Sequence, residues 1–304
     1  MSESYLTMIL SNLRMTEQKS DAWLEERKGM ITGSEMFKAL DDITQLEDIN
    51  LIMENGTVVS NTLTHTLYDS DKQVNWLNGK LGIVKPTPFI VNSAIDWGSK
   101  FENISRMVHE LRTGLVFKEY GLVPHKTVKY FGASPDGLSV SNPPISLEIK
   151  NAFGSRSFYS SRMKLDYWFQ CQWVMYCINS WAQSNEDKIE RTHFLETRFC
   201  KYNSMEEYLR DGGDTGYNQC GIEKGMIIEK KNGEWIYPLR IGCSIGEMGF
   251  NPDDIVNGKP IFWSLTEYSL IYIPIDERVA SKFVPRLHEI WSRVGSSKRR
   301  TTVN

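Results

Sequence analysis

Two short segments carry side chains able to do metal and proton chemistry together. Ser134-Pro135-Asp136-Gly137 is followed, after a short Pro- and Ser-containing stretch, by Leu147-Glu148-Ile149-Lys150. Strand alternation sends Glu148 and Lys150 to one face and Ile149 to the other. Asp136 is expected to end the preceding strand. Two carboxylates so placed can share a hard cation such as Mg²⁺, with the Ile149 backbone carbonyl as a third oxygen. Lys150 is a compact charge that can position or deprotonate a water and stabilise charge developing on a phosphoryl group. Asp…Glu-x-Lys therefore contains the parts for metal-assisted phosphodiester hydrolysis. Surface strands carry Glu-x-Lys commonly, so the pattern gains meaning from what surrounds it.

The elements that must hold these residues are partly legible. Ser20 is a candidate cap for a helix over Asp21 to Arg27 that Gly29 ends, and Ser34 a candidate cap for a second over Glu35 to Leu40. Ile95, Trp97, Phe101, Ile104, Met107, Val108 and Leu111 recur at helical spacing and predict a helix from Asn92 to Thr113, stopped by Gly114. Short strands are expected at Val116 to Tyr120, His125 to Phe131 and Ile145 to Ile149, then a helix over Lys164 to Asn179. Strands follow at Met226 to Glu229, Glu234 to Ile241 and Tyr268 to Ile273, with a last helix from Asp276 to Val294.

Of the 304 residues, 40% are hydrophobic and 12% aromatic, which excludes a disordered chain. The formal net charge of −3 argues at face value against a nucleic-acid partner, but the average conceals its parts. Residues 41–71 hold seven acids and no Lys or Arg, leaving +4 for the remainder. That stretch reads as an acidic insertion or lid over 41–92, which as a phosphate mimic could compete with DNA. Residues 97–164 hold ten basic residues against five acids, and three of those five are Glu102, Asp136 and Glu148. The five cysteines (171, 177, 200, 220 and 243) include no Cys-x-x-Cys pair and read as reduced, buried thiols. No run approaches the roughly 20 apolar residues that span a bilayer, and Met1 to Arg14 lacks a signal-peptide pattern. An intracellular protein without a membrane partner is expected, in the cytoplasm or, for a virus of eukaryotes, the host nucleus.

Five blocks occur in a fixed order: Trp23-Leu24-x-x-Arg27-x-Gly29-x-Ile31-Thr32-Gly33-Ser34, Trp97-Gly98-x-x-x-Glu102, Ser134-Pro135-Asp136-Gly137, Leu147-Glu148-Ile149-Lys150 and Tyr167-x-x-Gln170-x-Gln172-x-x-Met175. Together, over about residues 18–180, they resemble the lambda-exonuclease/YqaJ-like viral recombinase family of PD-(D/E)XK nucleases, which is related to viral alkaline nucleases. The resemblance implies an α/β fold with a mixed central sheet flanked by helices; the tail has no counterpart in it, and its own pattern reads as an extra C-terminal β-rich extension. One nuclease domain over 1–304 is expected, with a core over about 16–200, the acidic insertion over 41–92 and the extension over about 201–304. By the same likeness Asp136, Glu148 and the Ile149 carbonyl bind the metal, Glu102 faces them from a helix, Lys150 is the catalytic lysine and Gln170 orients the water. Arg27, Ser34, Ser134 and Arg156 match a 5′-phosphate pocket, for which a guanidinium fork and hydroxyls are chemically suited. The family often has Cys-Pro or Thr-Pro after the lysine, where this chain has Asn151-Ala152.

The activity implied is a Mg²⁺-dependent (or Mn²⁺-supported) 5′-to-3′ exonuclease on double-stranded DNA ends, in viral or phage-type recombination or genome processing. A single-strand annealing protein and further copies of the chain are partners that the resemblance allows, since ring-forming and monomeric relatives both exist. A structure-specific endonuclease or nickase fits the same residues, and a non-catalytic DNA-binding recombination protein is the reading from another class. Each residue also has a structural alternative. Arg27 could pair with Glu25 or Glu26, Ser34 could simply cap a helix, and Gln170 and Gln172 could be polar positions in a packed helix. Tyr167, Trp168, Trp173 and Tyr176 read as core, and His109 and His125 as structural. Arg162 and Lys164, with Ser155, Ser157, Ser160 and Ser161, read as a loop contacting the DNA backbone.

Overall fold

Residues 165–179 carry apolar side chains on nearly all sides of the helix they form, so most of its surface must be buried. The computed structural model describes residues 4–40, 42–64, 72–84, 94–154 and 163–301, with side chains through Val294. Its helices are α1 (Tyr5–Ser11), α2 (Asp21–Lys28), α3 (Gly33–Ala39), α4 (Lys72–Lys80), α5 (Ala94–Thr113), α6 (Leu165–Asn179), α7 (Met205–Arg210), α8 (Pro252–Asn257) and α9 (Val284–Thr301). Its strands are β1 (Gln45–Met53), β2 (Val58–Thr64), β3 (Phe117–Lys118), β4 (Val123–Pro124), β5 (Gly132–Ala133), β6 (Gly137–Ser139), β7 (Ser146–Ala152), β8 (Arg191–Lys201), β9 (Lys224–Glu229), β10 (Trp235–Ile236) and β11 (Lys259–Pro274).

Nine of these strands form one mixed sheet in the order β10-β9-β11-β8-β7-β6-β3, with β1 and β2 attached beside the far half of β11. β7 and β8 run parallel, Glu148 opposite Phe194 and Lys150 opposite Glu196. The α6 crossover between them supplies the geometry that a parallel pair requires. α6 covers one face together with α3 and α9, burying Trp168, Phe169 and Trp173 against Phe37, Phe131 and Leu287. α5 covers the other, packing Phe101, Ile104 and Val108 on Phe199, Ile227, Ile261 and Trp263. The sheet thus lies between two helical layers.

The C-terminal third is β-rich as expected, and its strands lie in the same sheet as the Glu-x-Lys strand. β11 pairs with β8 from Trp263 to Pro274, and α9 closes the core with Leu287, Ile290 and Val294. Within the acidic segment, β1 and β2 form a hairpin that buries Ile49, Leu51 and Leu63 and continues the sheet through Ile52 and Met53 beside β11. Asp41, Asp69 and Asp71 lie outside the described residues.

Several local expectations are corrected. The cap of α3 is Thr32, whose backbone N–H and Oγ1 both donate to Glu35 Oε2, at 3.2 and 2.7 Å; Ser34 is already in the helix. The stretch from His125 to Phe131 is not a strand, because His125 Nδ1 accepts the N–H groups of Thr127 and Val128 and closes a turn between β4 and β5. Of Glu234 to Ile241, only Trp235 and Ile236 pair, with Glu229 and Ile228. The last helix begins at Val284, after a π-helical turn over Val279–Phe283, and not at Asp276. Cys171 and Cys177 are buried, whereas Cys200 and Cys220 are exposed. No described helix is long and apolar enough to cross a membrane.

Candidate active site

The site forms where the sheet is incomplete. β6 pairs with β7 at Gly137–Leu147 and Leu138–Ser146 only, so residues 148–152 have a strand neighbour (β8) on one side and a notch on the other. Gly137 permits the crossing of β3: a Cβ there would meet Phe117 Cβ at 3.1 Å. Asp136 therefore precedes β6; it does not end the strand before it, and it sits beside the notch. Its Oδ2 accepts the Ile149 N–H at 2.7 Å. In an extended strand the carbonyl of a residue points to the same side as its N–H. The Ile149 carbonyl accordingly faces the notch too, while the Ile149 side chain packs with Phe117, Leu147 and Leu195 under α5.

Alternation places Glu148 and Lys150 on the α6 face, as expected. Glu148 is 1% exposed; Oε1 accepts a very short bond from Lys150 Nζ, and Oε2 is buried with no hydrogen-bond partner. Lys150 Nζ also lies 3.4 Å from Gln170 Oε1 and 4.9 Å from the centre of the Tyr167 ring. Glu102 comes from the opposite face on α5 and lines the same cavity, of about 360 Å³, as Lys150, Ile149 and Tyr167. Its Oε2 accepts from Lys19 Nζ at 3.1 Å. Three carboxylates against the ammonium groups of Lys150 and Lys19 leave the notch with an excess of negative charge.

The titration directions follow from that crowding. Burial and the charges of Glu148 and Glu102 push Asp136 well above the usual carboxylate range, against Lys150 and the Ile149 N–H. Burial likewise raises Glu148, with the Lys150 ammonium offsetting only part. Burial alone would lower Lys150, but Glu148 and Asp136 outweigh it and hold the ammonium above its ordinary value. That direction favours the charged form of Lys150, beside the two carboxylates that flank it. A divalent cation fits this donor set. The donors are hard oxygens, they repel one another, and one buried Glu148 oxygen has no partner. Among the described residues no three acidic, His or Cys side chains are drawn into a closed ligand cluster. Asp136, Glu148 and the Ile149 carbonyl would thus hold the ion with substrate or water oxygens completing its shell, as Mg²⁺ commonly does.

A second constellation adjoins the first through Gln170. α3 approaches α6 at Gly33, where a Cβ would lie 3.3 Å from Gln170 Cγ. Next to it Ser34 Oγ accepts from Arg27 Nη2 at 3.0 Å, and the guanidinium stacks 4.2 Å from the Trp23 ring centre. Arg27 does not pair with Glu25 or Glu26, which bond Lys28 and Thr16 instead. Trp23 Nε1 donates to Ser134 Oγ at 3.0 Å, so one indole connects Arg27 to the Asp136 segment. Beneath α2, the nearly buried Lys80 Nζ donates to the carbonyls of Arg27 and Met30 at 2.7 and 2.5 Å and fixes the turn to α3. Arg27, Ser34 and Ser134 are thereby brought together. Arg156 lies outside the described residues, as does the proposed backbone-contacting loop apart from Lys164.

Three supports escaped sequence reasoning. Asn151 Nδ2 donates to the Gly98 carbonyl at 2.8 Å, and its Oδ1 accepts from Ser105 Oγ and Thr197 Oγ1 at 2.6 and 2.7 Å. One amide thus ties the Glu-x-Lys strand to the helix that carries Glu102 and to β8. Trp23 and Tyr167 act as the platforms of Arg27 and Lys150; their place within the motif blocks was the available signal. Gln172 is structural, bonding the Pro274 carbonyl and the Asp276 N–H at 2.7 and 2.9 Å. His109 is structural as well, 3.0 Å from His193 in the core.

A notch of this make-up, on a mixed sheet between two helical layers, defines an α/β nuclease-type fold. A YqaJ-like viral recombinase domain matches residues 22–184, and the chain belongs to that family. It is 21% identical, over 94% of its own length, to an uncharacterized protein (R354) of Acanthamoeba polyphaga mimivirus, and spans about half (54%) of that relative. Its fold is that of an alkaline exonuclease (LHK-Exo) from Laribacter hongkongensis, with a TM-score of 0.50 at 15% identity over 93% of this chain and 96% of that one. The same enzyme in complex with dAMP superposes equally well, at 16% identity.

Proposed function

We propose that the protein is a divalent-metal-dependent DNA nuclease, working with Mg²⁺ (Mn²⁺ as a substitute) as a 5′-to-3′ exonuclease on double-stranded ends in viral-type recombination or genome processing. The observation that carries this reading is the meeting of Asp136, Glu148 and Lys150 in the sheet notch, with one Glu148 oxygen buried and unbonded. The bound cation would polarise the scissile phosphate and favour ionisation of an attacking water. Asp136, Glu148 and the Ile149 carbonyl would hold that cation, with Glu102 adding negative charge from the α5 side. Gln170, within reach of Lys150, orients the water by accepting its hydrogen. Lys150 remains an ammonium and stabilises the negative charge that gathers on the phosphoryl oxygens. Arg27, Ser34 and Ser134 would take the terminal 5′-phosphate, Arg27 as a flat fork pre-aligned on Trp23.

A time course on end-labelled linear duplex, run beside nicked and closed circles with Mg²⁺, tests this reading. Release of mononucleotides from linear ends, with closed circles intact and a preference for 5′-phosphate that Arg27→Ala removes, is the expected result. Cutting of closed circles would replace it with the endonuclease, and full activity in Lys150→Ala would overturn the catalytic assignment altogether.

A further inference from the structure

Beside the notch the sheet has a rim that is both basic and aromatic, and the hydrolytic reading makes no use of it. β7, β8 and β9 end there and β11 begins there, at Ala152, Lys201, Glu229 and Lys259. The pairing register fixes which way the rim faces. Lys259, Glu229 and Trp235 lie opposite one another across β11, β9 and β10, and Lys201 lies opposite Trp263. Phe199, Ile261 and Trp263 pack against α5. Residues two apart share a face, so Lys201 and Lys259 project on that same side.

The rim is continuous in space. Phe153 follows β7, is 41% exposed and lines the cavity of Lys150 and Glu102. Its ring lies edge-on to Trp97, with centres 5.8 Å apart. Lys201 Nζ stands 5.0 Å from the centre of the Trp97 ring. Lys100, one turn along α5, stands 3.7 Å from the centre of Trp235. Lys201 and Lys259 are near enough to act electrostatically on Lys100, as are Asp96 and Glu229. The two acids balance the buried Lys100, whereas Lys201 and Lys259 are exposed to solvent. Four strand spacings of about 4.8 Å carry the rim some 19 Å across the sheet from β7 to β10, and the stagger of the strand ends, from Arg198 to Lys201 and from Trp263 to Lys259, adds about 23 Å along the strands. The resulting path of about 30 Å accommodates roughly nine nucleotides at a stacked rise of about 3.4 Å.

Rings and ammonium groups side by side along a rim that starts at the catalytic cavity with Phe153 suit a ligand that offers open base faces and a phosphate backbone. A duplex hides its base faces; a single strand does not. The geometry points to this rim as a track for single-stranded DNA, leading a strand away from the notch over Phe153, Trp97, Lys201, Lys259 and Trp235. The inference rests on the nuclease reading for what strand arrives there, but the binding itself is measured without cleavage.

The experiment is anisotropy of fluorescein-labelled dT10 in EDTA, across a salt series, for the wild-type protein, Lys201→Ala/Lys259→Ala and Trp235→Leu, with thermal melts to verify folding. The lysine pair should lower the slope of log K against log salt by about 1.4, at about 0.7 per lost phosphate contact. Trp235→Leu should weaken dT10 roughly tenfold, the scale of one lost base stack. With Mg²⁺, both variants should still remove the first nucleotide of a duplex but release shorter runs before dissociating. Unchanged dT10 affinity and salt slope in both variants would overturn the track, whatever the cleavage result. Weakened dT10 binding in a protein that cuts no DNA would keep the track and remove the nuclease instead.

Discussion

The core beneath α5 contains two imidazoles whose burial favours the neutral state. His109 is fully buried and His193 is 3% exposed. Their nitrogens share one hydrogen bond of 3.0 Å, and His109 Nδ1 lies 2.8 Å from Tyr268 Oη. The charge acting on His193 from outside the pair is Arg191, and Arg112, which stacks on Tyr268, is itself ion-paired with Glu223. Burial lowers His109 to about 4; burial, with His109 and Arg191, lowers His193 to about 3. In the unfolded chain both titrate near 6.5. Below that pH the unfolded state binds protons that the native state refuses, so stability falls as pH falls, down to the native values. At pH 5 the unfolded rings sit about 1.5 pH units below their own midpoint while the native rings are still neutral. At about 1.36 kcal/mol per unit this amounts to about 2 kcal/mol for each ring and about 4 kcal/mol for the pair. Urea unfolding at pH 8 and pH 5 measures it directly, provided the m-value is constant. Wild type should lose about 4 kcal/mol more across this interval than His109→Gln/His193→Gln, and His193→Gln alone should remove about half of the difference. The crowded carboxylates of the notch bind protons in the opposite sense, but they do so in both proteins and cancel. Equal pH dependence in wild type and double variant would refute the buried neutral pair.

Other perturbations have equally definite outcomes. Lys150→Ala should reduce turnover by roughly 10²- to 10³-fold, the scale for removing one preorganised positive donor, with duplex affinity in a gel-shift assay retained. Glu148→Gln should weaken Mg²⁺ binding in a calorimetric titration, because it replaces the buried carboxylate by a neutral amide. Asn151→Leu strips hydrogen bonds from the Gly98 carbonyl and the Ser105 and Thr197 hydroxyls; urea unfolding should show a loss of about 2–4 kcal/mol. Lys224 donates to the carbonyls of Tyr208, Asp211 and Gly213 at 2.6, 2.6 and 2.7 Å from a fully buried position. Lys224→Met should therefore cost about 3 kcal/mol in the same assay without altering cleavage of short duplexes.

Asp136, Glu148 and Lys150 could be picked out by type and spacing, since a two-residue period alone puts Glu148 and Lys150 on one face. α2, α5 and α6 were legible for the same kind of reason: helical spacing and capping signals are local. β8 went unseen. It is covered on both faces, and its Thr192, His193, Glu196 and Thr197 are buried polar groups that erase the alternation by which a strand is recognised. The acidic run of 41–71 concealed a hairpin, because its charge drew attention from Ile49, Leu51 and Leu63. Asn151 looked like a mere departure from the family's Cys-Pro or Thr-Pro, yet its amide reaches two elements remote in sequence.

By itself, then, the amino-acid sequence determined the chemical inventory of this protein, the order of its blocks and the faces on which neighbouring residues lie. These depend on the 2.0- and 3.6-residue periods of the backbone, which act over a few residues. Only the tertiary structure decided that β6 stops short and opens a notch, that Glu102 enters it from the opposite layer, and that Trp23 bridges Arg27 to Ser134. It also decided that Phe153, Lys201, Lys259 and Trp235 share one rim. Those relations are set by register and crossover between segments tens of residues apart, where one step of slip would turn every side chain to the other face.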